Sequence, residues 1–326
     1  EGEFVYEYDA AYADDAFLAV WLSMDGRQQM NLSGRYFPAG EPEAGSPDFS
    51  VETEYSTQHL QLLHDGLTGQ YFLFYTVMDM DMDVLQARVI DGNGVGAPIS
   101  LGYLPPGYSD LNIVPLEDGL LAAVWMDNST KAFVQALQIV VDENGGFEAM
   151  EPYGNMQSQV LSDGFYIQTF RVAPAGTGSQ LMFAGYSPSY DAVALWHAAL
   201  DWEEWYFYKV SEVKLNLEHA GGTYLDFDVY AGEYTDGEPV VAWLWRDAED
   251  VLNRTVYYTE REHVHFMWHE SPYLAHYGTL RLLPGKNRLN LFTEGHMEWP
   301  AADAGTGFFI LAVDFESELR ALTRGN

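Results

Sequence analysis

The chain has 326 residues, 48% hydrophobic and 15% aromatic, with a formal net charge of −34 and no cysteine. That composition excludes disulfides, thiolate metal sites and a cysteine nucleophile, and so negative a surface repels the phosphates of nucleic acid and of anionic membranes. No apolar run approaches the ~20 residues of a membrane-crossing helix, so neither nucleic acid nor membrane insertion is expected.

In chain order, one pattern recurs six times: an apolar strand ending on an aromatic, an acidic turn, then a second strand and a further turn. The copies are "FLAVWLSMDG" around Trp21, "YFLFYTVMD" around Tyr75, "LLAAVWMDNS" around Trp125, "QLMFAGYSPSYD" around Phe183, "PVVAWLWRDAED" around Trp243 and "RLNLFTEGHME" around Phe292. They are spaced by about 50–60 residues, the range of propeller blades. Tight turns precede them, among them "HDG" at 64–66 and "EDG" at 117–119, where Asp-Gly supplies the positive φ of a two-residue hairpin. "AVALWHAAL", Ala192 to Leu200, contains good helix formers but occupies a third-strand slot and is read as a strand.

Each unit therefore reads as four antiparallel strands. The expected fold is all-β, a single six-bladed β-propeller over 1–326, with approximate blades 1–56, 57–107, 108–158, 159–218, 219–274 and 275–326. The pattern resembles the broad class of bacterial β-propeller repeats, "VLQARVIDGNGVGAP" in particular resembling their third strand and turn. The Gly-His and Trp-Asp pair of WD40 blades, the double glycine of kelch repeats and the Ser-x-Asp-x-Gly-x-Thr-Trp box of sialidases are missing, so the resemblance names no activity.

Four constellations are candidates for chemistry. In "TVMDMDMDVL", Asp79, Asp81 and Asp83 alternate like the start of a calcium loop. The sixth and twelfth positions hold Val84 and Ile90 where an EF-hand needs Gly and Glu, so only a looser Ca²⁺ site is expected. The bland reading is an acidic turn whose Met78, Met80 and Met82 continue the face of Phe72 and Phe74 and fill gaps between blades, leaving the aspartates on the other face. "EHVHFMWHE" sets His263, His265 and His269 on one face of an outer strand, where i, i+2 histidines can chelate a transition metal or form a half-solvated stripe.

"GTYLDFDVY" places Asp226 and Asp228 on one parity of an inner strand, and "FVYEYDAAY" does the same with Glu7 and Asp9. Such carboxylates can serve as acid and base or nucleophile on a glycosidic bond, or line a channel with water. Arg171 and Arg281 can orient an anionic sugar or neutralise those acids, and Trp299 can stack on a sugar. Turn carboxylates such as Asp25 and Asp127 are expected to gather on the rim shared by these turns and the crossovers between units, attracting a cationic ligand.

The expected function is a non-catalytic binding or scaffold propeller, secreted or at the cell surface, that holds a divalent cation, a glycan or a protein partner on an acidic loop rim. The alternatives are a carbohydrate-active hydrolase or lyase working through the central carboxylates, and a structural assembly subunit. A halophile's cytoplasm would suit the same composition, and the oligomeric state is open.

Overall fold

The structure is a computed structural model. It describes residues 4–13, 16–38, 47–91, 94–127, 131–152, 159–160, 166–175, 180–189, 192–201, 206–216, 223–231, 240–246, 252–260, 263–270, 276–284, 289–297 and 305–311. The described residues form six antiparallel sheets, divided between two compact units, Glu1–Val160 and Leu161–Asn326.

The first unit holds three sheets. The first orders β1 (Phe4–Ala13), β2 (Ala16–Met24), β3 (Met30–Pro38) and β4 (Phe49–Glu52). The second orders β5 (Gln58–Asp65), β6 (Gln70–Asp79), β7 (Met82–Asp91) and β8 (Gly94–Val95), with β9 (Ile99–Tyr103) also paired to β7. The third orders β10 (Ser109–Pro115), β11 (Leu120–Met126), β12 (Ala132–Val141) and β13 (Phe147–Pro152), with β14 (Gln159–Val160) on β12.

The second unit holds the other three. The fourth sheet orders β15 (Thr169–Pro174), β16 (Gln180–Ser187), β17 (Ala192–Asp201) and β18 (Tyr206–Asn216). The fifth orders β19 (Thr223–Tyr230), β20 (Val240–Arg246), β21 (Leu252–Glu260) and β22 (His263–Glu270). The sixth has three strands among the described residues, β23 (His276–Pro284), β24 (Leu289–Met297) and β25 (Gly305–Leu311).

Each aromatic that marks a sequence copy lies on the second strand of a sheet: Trp21 on β2, Tyr75 on β6, Trp125 on β11, Phe183 on β16, Trp243 on β20 and Phe292 on β24. Burial explains why these strands read as unbroken apolar runs. β6 packs Phe72 and Phe74 toward the third sheet and Leu73, Tyr75 and Val77 toward the first. A strand covered on both faces needs no polar alternation, and each fully buried Phe or Tyr contributes about 1.5–3 kcal/mol. In the second unit Val193, Leu195, Phe227, Trp243 and Trp245 join the fourth and fifth sheets into another core.

Neighbouring sheets are joined by side chains of their first strands. Asp9 Oδ2 accepts the Leu62 N–H at 2.7 Å and Glu7 Oε1 the Leu60 N–H at 2.8 Å, linking β1 to β5. Gln61 bonds both backbone groups of Ile113 at 2.6 Å, linking β5 to β10. In the second unit Asp228 Oδ2 accepts the Leu282 N–H at 2.8 Å. Asp9, Gln61 and Asp228 are register equivalents, each paired with the residue before the aromatic anchor of its sheet: Val20, Phe74 and Ala242. Five of the six first strands also bear a one-residue bulge; β15 pairs without one. Such a bulge re-aims the strand end.

Two turns are informative. At "EDG", Asp118 and Gly119 take φ of 56° and 73° and close the expected two-residue hairpin. "HDG" behaves differently. The loop runs on to Gly69, which takes the positive φ, while Asp65 Oδ2 accepts the Thr68 N–H at 2.8 Å.

Candidate functional site

A cleft of about 920 Å³ opens between the first and second sheets. Its near wall is the turn between β2 and β3. Asp25 Oδ1 accepts the N–H groups of Arg27 at 2.8 Å and Gln29 at 3.0 Å, and Gln28 takes φ 64°. These bonds, Gln29 first and then Arg27, hold the Asp25 carboxyl below its ordinary 3.8. So braced, the turn places Arg27, Gln28 and Gln29 along the cleft.

The crossover from β4 to β5 forms the opposite lip. The Thr53 N–H donates to Met30 O at 3.0 Å, the Thr57 N–H to Glu54 O at 3.0 Å, and the two threonine hydroxyls meet at 2.9 Å. This compact loop leaves Glu54 exposed and Tyr55 72% exposed at the cleft edge, beside Glu52. The floor comes from β6 and β7. Arg88 donates through Nε to the Tyr75 hydroxyl at 2.9 Å and through Nη1 to Gly96 O at 2.8 Å, and its guanidinium lies 5.9 Å from the Tyr75 ring centre. Burial raises the Tyr75 phenol above 10.0, partly offset by Arg88.

The cleft therefore combines two guanidinium groups, two carboxylates, three side-chain amides and an exposed phenol ring. Planar donors and acceptors, Arg88 held in place by its two bonds, beside an aromatic face suit a ligand with many hydroxyls and an apolar face. None of Arg27, Arg88, Glu52, Glu54 or Tyr55 stood out in the sequence. Their one legible signal is the scarcity of cations, 15 Lys and Arg against 49 Asp and Glu; two arginines in one cleft of such a chain are unusual.

The residues singled out from sequence fall elsewhere. "MDMDMD" is a hairpin: Asp79 pairs with Met82 across a two-residue turn in which Met80 and Asp81 take φ of 47° and 67°. The expected division into a methionine face and an aspartate face fails at that turn. Strand parity does not carry across it, so Met78 pairs with Asp83 on one face and Asp79 with Met82 on the other. Nor do the methionines fill gaps, since Met78 is 54% and Met80 88% exposed. Asp79 Oδ2 accepts the Tyr103 hydroxyl at 3.0 Å.

The turn acids cap their own loops: Asp127 Oδ1 accepts the Lys131 N–H at 3.0 Å, as Asp25 does in its turn. Among the described residues no three His, Asp or Glu side chains form a group able to hold a metal ion. Glu7, Asp9 and Asp228 make the inter-sheet bonds above, and Asp226 accepts from Arg171 Nη2 at 2.8 Å, with the Arg171 guanidinium 5.7 Å from the Phe227 ring centre. Arg281 lies on β23 opposite Phe292, and His263, His265 and His269 on β22; their side chains fall outside what the structure describes. Trp299 lies outside the described residues.

No family model and no curated protein matches the chain. Loosely similar solved structures include AofleA from Arthrobotrys oligospora, 10% identical, covering 96% of this chain and 90% of that one, with a TM-score of 0.49. The α-L-arabinofuranosidase of Fusarium graminearum in complex with an iminosugar inhibitor is 11% identical over 97% and 94% of the two chains, with a TM-score of 0.46. The fucose-specific lectin from Aleuria aurantia is 11% identical over 94% of each chain, with a TM-score of 0.45. Likenesses this distant assign no function, which must come from the cleft itself.

Proposed function

We propose that the protein is a non-catalytic carbohydrate-binding protein, its six sheets the blades of one closed propeller, and that glycan binds in the cleft between the first and second sheets. A secreted or cell-surface setting belongs to the same proposal. One observation carries it: Arg88, fixed by two hydrogen bonds, and Arg27 share a large open cleft with Glu52, Glu54 and the exposed ring of Tyr55. Sugars are bound by such bidentate groups around their hydroxyls, with an aromatic ring against their C–H face. The competing reading, hydrolysis through Glu7, Asp9, Asp226 and Asp228, has less support, because each of these carboxylates already bonds a group of a neighbouring sheet.

The test is an array of immobilised glycans of one to six residues, neutral and uronate-bearing, probed with the whole chain and with Arg88→Ala and Tyr55→Ala. We expect binding to a defined subset, weakened about tenfold or more by either substitution, equivalent to ~1.4 kcal/mol or more. The proposal fails if no glycan is retained, or if both variants bind like the parent. Reducing sugar released from the bound glycans would instead favour the hydrolase.

A further inference from the structure

The sheet face that floors the cleft continues past its lining. On sheet faces, paired residues and residues two apart point the same way. Val77 lines the cleft and pairs with Val84, which pairs in turn with Tyr103 on β9. Two residues beyond Val77 along β6 is Asp79, opposite Met82. Arg88, Gln86, Val77, Met82, Asp79 and Tyr103 therefore share one face of the second sheet, running from the cleft to the hairpin tip.

The Tyr103 ring is 59% exposed, yet its hydroxyl is anchored on Asp79 Oδ2 at 3.0 Å. The same bond shifts the phenol upward from its ordinary value. A fixed, solvent-facing aromatic next to a half-exposed methionine is a stacking platform that presents its face at little entropic cost. The cleft itself is at the upper end of the ~300–1,000 Å³ of ordinary ligand sites, roomy for one sugar ring. Asp79 and Asp81 give this end a negative field that disfavours a carboxylated sugar.

Resting on the carbohydrate reading above, we propose that the ligand is an extended neutral glycan of three or more residues, one ring seated at Arg88 and Tyr55 and a later ring stacked on Tyr103. Affinity then depends on chain length, and Tyr103 acts on the length-dependent part alone.

The experiment is calorimetric titration of the parent, Tyr103→Ala and Tyr103→Phe with the free mono-, di-, tetra- and hexasaccharide of whichever series ranks first on the array. Near-parental thermal midpoints confirm that both variants are folded, since the ring is exposed. We expect the tetrasaccharide to bind about tenfold or more tightly than the monosaccharide. Tyr103→Ala should remove that gain without weakening the monosaccharide, and Tyr103→Phe, which keeps the ring but not its anchor, should retain part of it. Equal affinity for all lengths, or a Tyr103→Ala variant that keeps the gain, overturns the extended site while leaving glycan binding in the cleft intact. A uronate-bearing series ranking first overturns the neutral ligand. An array that retains nothing overturns the carbohydrate reading and this inference together.

Discussion

The gap between the first and second sheets and the gap between the second and third are built on the same backbone and end differently. In each, a five-residue crossover enters the next first strand. The Thr53 N–H donates to Met30 O where the Leu104 N–H donates to Asp83 O, and the Thr57 N–H donates to Glu54 O where the Tyr108 N–H donates to Pro105 O. Two residues later each strand bulges at a positive φ, 58° at His59 and 53° at Asp110. The side chains diverge. The middle residues are exposed in both, Glu54 and Tyr55 in one and Pro105 and Pro106 in the other, but where "TEYST" has the small polar Thr53 and Thr57, "LPPGY" buries the large Leu104 and Tyr108 to 5% and 9% exposure, the Tyr108 hydroxyl donating to Thr76 Oγ1 at 2.9 Å.

The facing sheets differ in the same sense. Tyr75 and Leu73 are paired with Gln86 and Arg88, while the equivalent Trp125 and Ala123 are paired with Phe133 and Gln135, Trp125 stacking on Phe133 at 6.3 Å. One gap is a polar cleft, the other a sealed seam. A repeat frame thus opens into a polar cleft where the crossover withholds its apolar fillers and the partner strand supplies a cation, Arg88.

The largest test of that contrast is Tyr108→Ala. It should lower stability by about 3–5 kcal/mol, as for other large aromatic deletions in cores, in urea unfolding, while glycan affinity in the cleft stays at the parental value. An unchanged stability would mean that Tyr108 does not seal the seam. Next are the bonds shared by both gaps. Asp9→Ala on the cleft side and Gln61→Ala on the sealed side each leave backbone groups of the next strand without their partner, and each should cost about 1–3 kcal/mol. Unequal losses would show that the two gaps rely differently on their first-strand links.

Gly119→Ala acts at the turn of the third sheet. An added Cβ would meet Leu67 Cδ2 at 2.9 Å and Ile139 O at 3.1 Å at φ +73°, so a loss of about 1–2 kcal/mol is expected from the left-handed backbone alone. Met80→Gly runs the other way. Met80 holds φ 47° almost wholly in solvent, so relief of strain should raise stability by about 1 kcal/mol.

The smallest effect is alkaline. Burial raises the Tyr108 phenol above 10.0, and the fields of Asp83 and Glu7 push the same way against its bonds to Thr76 and Gln58. The folded protein therefore keeps this proton where the unfolded chain loses it. Its contribution is intact below pH 10 and is lost as pH rises through the raised value. Tyr108→Phe should flatten that decline in denaturant titrations across pH 9 to 12, though Tyr75, raised likewise by burial, leaves part of it.

Much of the fold could be read from local pattern. The six aromatic-ended runs are the second strands because covering a strand on both faces demands an unbroken apolar stretch, and "AVALWHAAL" is a strand, β17, because its two neighbours pair along its whole length. Inner-strand carboxylates were recognisable as unusual, but not as links between sheets, since their partners lie 53 to 55 residues away. The methionine–aspartate stretch misled for a simple reason: alternation says which way a side chain points only while the strand continues, and a turn resets it.

The all-β class, the aromatic anchor of each unit and the acidic turn in "MDMDMD" are legible in the chain because each depends on residues close together in it. Which gap is open and which carboxylates are occupied follow from packing between sheets. Arg27, Glu54 and Arg88 come from three separate strands and loops, and whether such groups converge on one cleft depends on inter-sheet packing, which no local periodicity encodes.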